Sequence, residues 1–377
     1  MQAKQRFAAI DLLRILAAAA VMAFHHLFYY RSYAAAFAPD IQTAASYGYL
    51  GVPLFFMISG YVITQAATGR TRGQFAFARF ARLWPAFVIC LGITVVARQL
   101  VGPALGGWVV LANLTMVPHL FGVPYIDDVY WSLMYEIFFY VAVTVLLVGS
   151  SNFVQRLRIF ATVWLVLALV GLLVTLPELH TLLVLDFAPY FAVGIAIFLV
   201  RSESSTVVDR GLLAAALSLA FVFAAIRASV DSDVFANRVR PNIWLTGAIV
   251  LAGAGAIYAS TIIETGPRLS RAALTLGGIS YPLYLIHNSF GSVLIDLVPP
   301  GRLALSIFVA MTAVVAISYG IWRVEVPVRR HLMRAGRLTR PEVFVASHAS
   351  IKELKEARSP GSSQTYGPKI GVAPSPN

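Results

Sequence analysis

The sequence predicts an all-α polytopic membrane protein of about ten transmembrane helices with both termini in the cytoplasm. Three observations predict it. The 377 residues are 59% hydrophobic and only 12% charged, against roughly a quarter charged in soluble domains. Their mean hydropathy is +0.76. Apolar runs long enough to cross a core of about 30 Å, which takes roughly 20 residues per helix, recur from one end of the chain to the other. Lys and Arg also fall in alternate connections, as short cytoplasmic loops require.

Taken in order, the spans are expected near 9–30, 48–67, 80–100, 131–149, 158–176, 184–200, 211–227, 243–263, 273–296 and 303–323. A further apolar stretch, 105–121, is interrupted by Pro118 and is too short to cross, so it reads as re-entrant or interfacial. Lys4 and Arg6 precede the first span, Arg70, Arg72 and Arg79 lie between the second and third, Arg156 and Arg158 between the fourth and fifth, and Arg268 and Arg271 between the eighth and ninth. The intervening connections carry Asp127, Asp128, Glu178, Asp186, Asp231 and Asp233; Arg227, Arg238 and Arg240 weaken the alternation there. A cleaved signal peptide ending near "SYAAAFA" is the competing reading of the N-terminus, but Arg14 would interrupt its apolar region and its loss would invert the charge pattern.

The net charge of +12 does not indicate nucleic acid, because its distribution follows topology. From Arg329 onward there are nine Lys or Arg and three Glu, half of the net charge in the last 49 residues. Residues 331–377 read as a basic cytoplasmic tail able to touch anionic lipid, and from Gly361 the Gly/Pro/Ser-rich composition reads as disordered. A single cysteine, Cys90, excludes an intramolecular disulfide and reads as a core residue. No HExxH or comparable spacing points to a metal.

Within the spans, a few polar groups break the apolar pattern. "IDLLRILAAAAVMAFHH" (10–26) carries Asp11, Arg14, His25 and His26. Eleven residues from Arg14 to His25 amount to about 16 Å of rise and only about 20° of rotation, so the two share one helix face. Charge at such depth costs several kcal/mol unless it meets a partner or a wet cavity. The face therefore lines an internal path, or else Arg14 snorkels or pairs with Asp11 while the histidines lie near the outer interface.

Other unusual groups sort to the same two depths. On the cytoplasmic side are Arg79 and Arg82 in "RFARLWPAF", and Arg323 and Glu325 in "IWRVEVPVRR". Arg14, Arg79 and Arg82 facing one another would suit a polyphosphate, since planar guanidinium groups form paired hydrogen bonds to phosphate oxygens; positive-inside anchoring is the alternative. On the outer side are His25, Glu136 in "VYWSLMYEIFFY" and His287 in "ISYPLYLIH". A carboxylate and an imidazole at one depth offer a general base and its orienting partner, whereas a structural hydrogen bond between helices is the bland account. His119, His180, His331 and His348 read as loop or interface residues.

These pieces, with "GYLGVPLFFMISGYVI" and "LGGISYPLYLIH", occur in an order that resembles the acyltransferase-3 family of bacterial membrane O-acyltransferases over about residues 6–330. The resemblance implies an acyl group, commonly acetyl, passed from cytoplasmic acyl-CoA to a hydroxyl of a saccharide or glycolipid acceptor, without a metal. It further implies a bacterial inner-membrane location and membrane residues 1–330 forming the acyltransferase domain. With about fifty residues after the last span, the chain reads as the stand-alone form, lacking the hydrolase-like domain of some members. By the same analogy Arg14, Arg79 and Arg82 would hold CoA phosphates and His25 with Glu136 would serve transfer. His25 would act as general base or be acylated transiently. Asp11, His287, Arg323 and Glu325 would give support, and the oxyanion donor is open among Ser59, Tyr61, Tyr135 and Tyr281. A homodimer is compatible with the sequence. A transporter or flippase of an anionic or glycan substrate is the rival class, though the chain shows no duplicated halves.

Overall fold

In the computed structural model, residues 8–148, 152–174, 177–230, 241–263, 266–297 and 302–336 are described. They belong to one unit, Met1–Thr339; the expected disordered tail beyond residue 336 lies outside the described residues. The described residues form helices and contain no strand.

The first span is α1 (Ala8–Phe24), which continues as a π-helical turn over His25–Tyr29. Short α2 (Arg31–Ala34) and α3 (Pro39–Ser46) and a 3₁₀ turn lead into α4 (Gly51–Ala67). Then follow α5 (Arg72–Val101), the short α6 (Gly107–Leu114), α7 (Trp131–Leu146), α8 (Phe153–Gly171), α9 (Pro177–Leu182) and α10 (Ala188–Arg201). The order closes with α11 (Val207–Val230), α12 (Ile243–Ser260), α13 (Pro267–Ile286), α14 (Ser289–Asp296) and α15 (Leu303–Ala335).

Among the described residues, eight helical segments are long and apolar enough to cross a membrane. The two other expected spans are present as helices that miss that description for opposite reasons. α10 is apolar but has 14 residues, about 21 Å of rise against a core of about 30 Å; α13 has 20 residues but opens on Arg268 and Arg271. The stretch 105–121 forms α6 and a 3₁₀ turn, as its length predicts.

Three of the larger departures from the expected boundaries are instructive; α8 also lies five residues earlier than expected, over Phe153–Gly171. α5 starts at Arg72 rather than near residue 80, because Thr71 and Gln74 form a reciprocal capping box with bonds of 3.3 and 3.1 Å. α15 runs through Pro327 to Ala335, so residues 331–335 are the last turn of a helix about 50 Å long rather than the start of a tail. The expected span 273–296 is two helices, broken at His287–Asn288, where Asn288 leaves helical geometry at ψ −83°.

Small residues let the central helices approach. α4 and α10 cross so closely that a Cβ on Gly60 would lie 2.1 Å from the Phe191 carbonyl oxygen, and one on Gly194 equally close to that of Met57. α1 and α13 meet at Gly277, where a Cβ would collide with the Asp11 side chain. Small-residue crossings are the means of tight association where lipid supplies no hydrophobic drive. Large apolar side chains such as Phe308 and Trp244 face outward, as a lipid-facing surface requires.

Candidate functional site

The helix pairs α1–α13 and α4–α10, together with α7, enclose the polar groups singled out in the spans. A cavity of about 40 Å³ lies among Arg14 of α1, Ser59 of α4, Ser132 and Glu136 of α7, and Ser280, Tyr281 and Tyr284 of α13. That is room for a few water molecules. Glu136 Oε1 accepts hydrogen bonds from Ser59 Oγ at 3.1 Å and from the Tyr140 hydroxyl one turn on. Two further groups of the lining are left unsatisfied: Arg14 Nε and the Tyr281 hydroxyl are buried and form no hydrogen bond.

The three arginines expected together do converge. The charges acting on Arg14 include those of Arg82, Asp11 and Glu136, and those acting on Arg79 include Arg82 and Glu136. Their pairing is unequal. Arg82 lies 3.9 Å from the buried Glu325, which is also 3.1 Å from Arg329. Among the described residues, Arg14 and Arg79 form no ion pair within 4 Å, and Arg79 Nε is, like that of Arg14, buried without a partner. Asp11 therefore does not close an ion pair with Arg14; its side chain packs into the gap left by Gly277. Arg323 stands apart, exposed on the opposite face of α15 and placed over the Tyr319 ring. Two residues along a helix differ by about 200°, which is why Arg323 and Glu325 cannot share a face.

The second cluster is at the far end of α1. His287, the residue that ends α13, is fully buried, and its Nε2 lies 3.1 Å from His25 Nδ1. His287 Nδ1 is 2.8 Å from the Tyr284 carbonyl oxygen. A carbonyl only accepts, so His287 carries its proton on Nδ1 and its Nε2 is an acceptor. The same reasoning puts a proton on His25 Nδ1, which donates toward His287 Nε2 and toward the Val21 carbonyl at 3.0 Å. His25 Nε2 is then a lone-pair nitrogen, and among the described residues it has no hydrogen-bond partner. His26 Nε2 donates to the carbonyl of His287 at 2.8 Å and so caps the end of α13. The π-turn that begins at His25 puts both adjacent imidazoles to use; such turns are rare and recur at functional sites.

Glu136 is not the partner of His25, contrary to the sequence reading. The Ser132–Tyr284 hydrogen bond (2.8 Å) registers antiparallel α7 against α13. Glu136 lies four residues to one side of that bond and His287 three residues to the other, a separation in depth of about 10 Å. Glu136 consequently belongs with Arg14, and His287 takes the place expected for it beside His25. Of the oxyanion candidates, Ser59 and Tyr281 line the cavity, whereas Tyr135 packs edge-on against Trp131 and tilted against Phe187.

Several residues were not singled out from the sequence. Tyr284 and Ser132 stand between the cavity and the histidine pair, and the signal was present in the Tyr-x-x-His spacing that puts Tyr284 one turn below His287. Asp127, read as a loop charge, is wholly buried. Burial raises its carboxyl above the usual range, against hydrogen bonds from Asn288, Ser289 and Val129 that lower it. A larger cavity of about 390 Å³ between α7 and α8 is lined by apolar side chains and Arg156, with no acid–base pair. Among the described residues no group of three His, Cys, Asp or Glu could hold a metal ion.

Neither the curated proteins nor the solved structures compared with this chain provide a match. The family comparison does: the acyltransferase domain of the acyltransferase-3 family matches residues 7–323, from the start of α1 to within α15. Every element of both polar clusters except Glu325 and Arg329 lies inside that range, and the chain is accordingly an acyltransferase-3 family member, a multi-pass membrane acyltransferase.

Proposed function

We propose that the protein transfers an acyl group, acetyl in the first instance, from acyl-CoA to a hydroxyl of a surface or secreted saccharide. The observation that carries this reading is the pair of arginines, Arg14 and Arg79, held in the membrane interior with no ion pair and with buried, unsatisfied Nε groups. Buried polar atoms without partners call for an explanation, and a diphosphate-bearing donor supplies one, since guanidinium groups bind phosphate oxygens in charge-assisted pairs. The Tyr281 hydroxyl fits the same account as a hydrogen-bond donor to the arm of the acyl donor where it passes through the cavity.

The other end of α1 supplies the base. His25 Nε2 takes the proton of the acceptor hydroxyl as its oxygen attacks the thioester carbonyl. The tetrahedral species collapses with cleavage of the C–S bond, and the CoA sulfur receives the proton from His25. His287 keeps the required tautomer by accepting from His25 Nδ1. Glu136 serves at the Arg14 end, where with Ser59 and Tyr140 it orders the cavity wall. In this reading the Arg14 end and both termini face the cytoplasm of a bacterium, and the acceptor meets His25 from outside. The Arg14–His25 span of about 16 Å suits the extended arm of the donor.

The test is a turnover assay on purified protein in detergent. Acetyl-CoA with a saccharide acceptor should release free CoA thiol and form an ester on the acceptor. Redistribution of substrate across a vesicle membrane without thioester consumption would instead favour the transporter class.

A further inference from the structure

The connection between the third and fourth spans contains a carboxylate with no place in the reaction just described. Asp127 is 0% exposed. Its Oδ1 accepts from Asn288 Nδ2 at 2.8 Å and from the Val129 backbone N–H at 3.2 Å, and its Oδ2 accepts from the Ser289 backbone N–H at 2.9 Å. All three donors are neutral. Burying a carboxylate on neutral donors is expensive compared with an apolar residue of similar size, so a purely space-filling role does not account for it.

What Asp127 holds is the break between α13 and α14. Asn288 is the non-helical residue at that break, and its side chain is gripped from both sides: Asp127 accepts from its amide nitrogen, and the Tyr30 hydroxyl donates to its Oδ1 at 2.7 Å. Ser289, the first residue of α14, is held through its backbone N–H by the same carboxylate. His287 immediately precedes these two, with its ring on His25 and its carbonyl on His26. Tyr30, which follows the π-turn, ties the same break back to the end of α1.

We infer that Asp127 is a positioning residue for His25: it fixes the α13–α14 break, which fixes the His287 imidazole, which in turn holds His25 in the tautomer with a free Nε2. Asparagine in its place would keep one accepting oxygen but turn an NH₂ donor toward either Ser289 N–H or the Asn288 amide. The inference rests on the acyl-transfer reading for its catalytic consequence and on hydrogen bonding alone for its geometric one.

A double-mutant cycle tests it with two readouts. Asp127→Asn should lower kcat about tenfold or more, the range seen when residues that orient a ligand or base are altered, and leave the Kd for acetyl-CoA within about twofold, because the arginine cluster is untouched. In a His287→Ala background the same substitution should change kcat by less than about twofold, since both act through one contact. The second readout needs no turnover: the rate at which diethyl pyrocarbonate modifies His25, followed by peptide mass spectrometry, should change at least about threefold in Asp127→Asn and no further in the double variant. If Asp127→Asn yields little folded protein, Asn288→Ala removes the same grip from the other side and should reproduce both results. Equal effects of Asp127→Asn with and without His287, or unchanged His25 reactivity in folded single variants, would overturn the inference. Wild-type protein with no transferase activity would refute the acyl-transfer reading, and the modification cycle would still decide the positioning role.

Discussion

The two ends of α1 solve the problem of polar groups in a membrane in opposite ways. At the His25 end nearly every donor and acceptor is spoken for: His287 bonds Tyr284 and His25, His26 caps α13, and Asp127 and Tyr30 share Asn288. Two nitrogens are left over, His25 Nε2 and the buried Nδ1 of His26. At the Arg14 end the polar atoms are equally buried, yet Arg14, Arg79 and Tyr281 each retain an unsatisfied atom. A network whose members bond mostly to one another is rigid and holds a reactive atom in place. An unsatisfied one stores binding capacity for a ligand that brings its own acceptors. On the proposed function, the first region serves chemistry and the second recognition.

Substitutions can break that contrast, and the largest effect is expected at its sharpest point. His25→Ala should lower acyl transfer by about a thousandfold, within the range general-base removal produces, while acetyl-CoA binding measured by calorimetry stays as in the wild type. Arg14→Ala and Arg79→Ala should do the reverse. Each removes a charge-assisted interaction of about 1.5–3 kcal/mol and should raise the Kd for acetyl-CoA roughly ten- to a hundredfold. Tyr281→Phe, which deletes one hydroxyl, should raise the Kd for acetyl-CoA about tenfold or less, read in the same calorimetry. Arg323→Ala should leave both binding and turnover unaltered, because that side chain sits on the exposed face of α15 over Tyr319; a loss of acetyl-CoA binding there would enlarge the recognition region. Truncation after Gly361 should change neither quantity.

Much of this arrangement is legible in the sequence, and the reason is periodicity. Arg14 and His25 share a face because eleven residues just exceed three turns, and Arg79 and Arg82 share one because three residues nearly complete a single turn. Partnership across helices is less legible, since it depends on the relative depth of two spans. The sequence puts Glu136 beside His25 because both fall in the outer half of their expected spans; α7 starts at Trp131 as expected, and it is the register of α7 against α13 that sets Glu136 about 10 Å from His287 in depth. The Ser132–Tyr284, Tyr284–Val129 and Asp127–Asn288 bonds fix that register, and nothing in either segment alone encodes it. The break at His287–Asn288 is hidden for a related reason: the apolar runs on either side of it, Leu283–Ile286 and Val293–Ile295, carry the average hydropathy across a short polar stretch where the helix does not continue. Charge reading failed for Asp127, because an acidic residue between two spans looks the same whether it faces solvent or is wholly buried.

The central claim is that the Arg14 end recognises the acyl donor independently of the His25 end. Isothermal titration of acetyl-CoA into purified wild-type, Arg14→Ala and His25→Ala proteins tests it without knowledge of the acceptor. The account predicts saturable binding by the wild type and His25→Ala with similar affinity, and binding weakened about tenfold or more in Arg14→Ala. Folded wild-type protein that binds no acetyl-CoA, or an Arg14→Ala variant that binds it as tightly as the wild type, would contradict it.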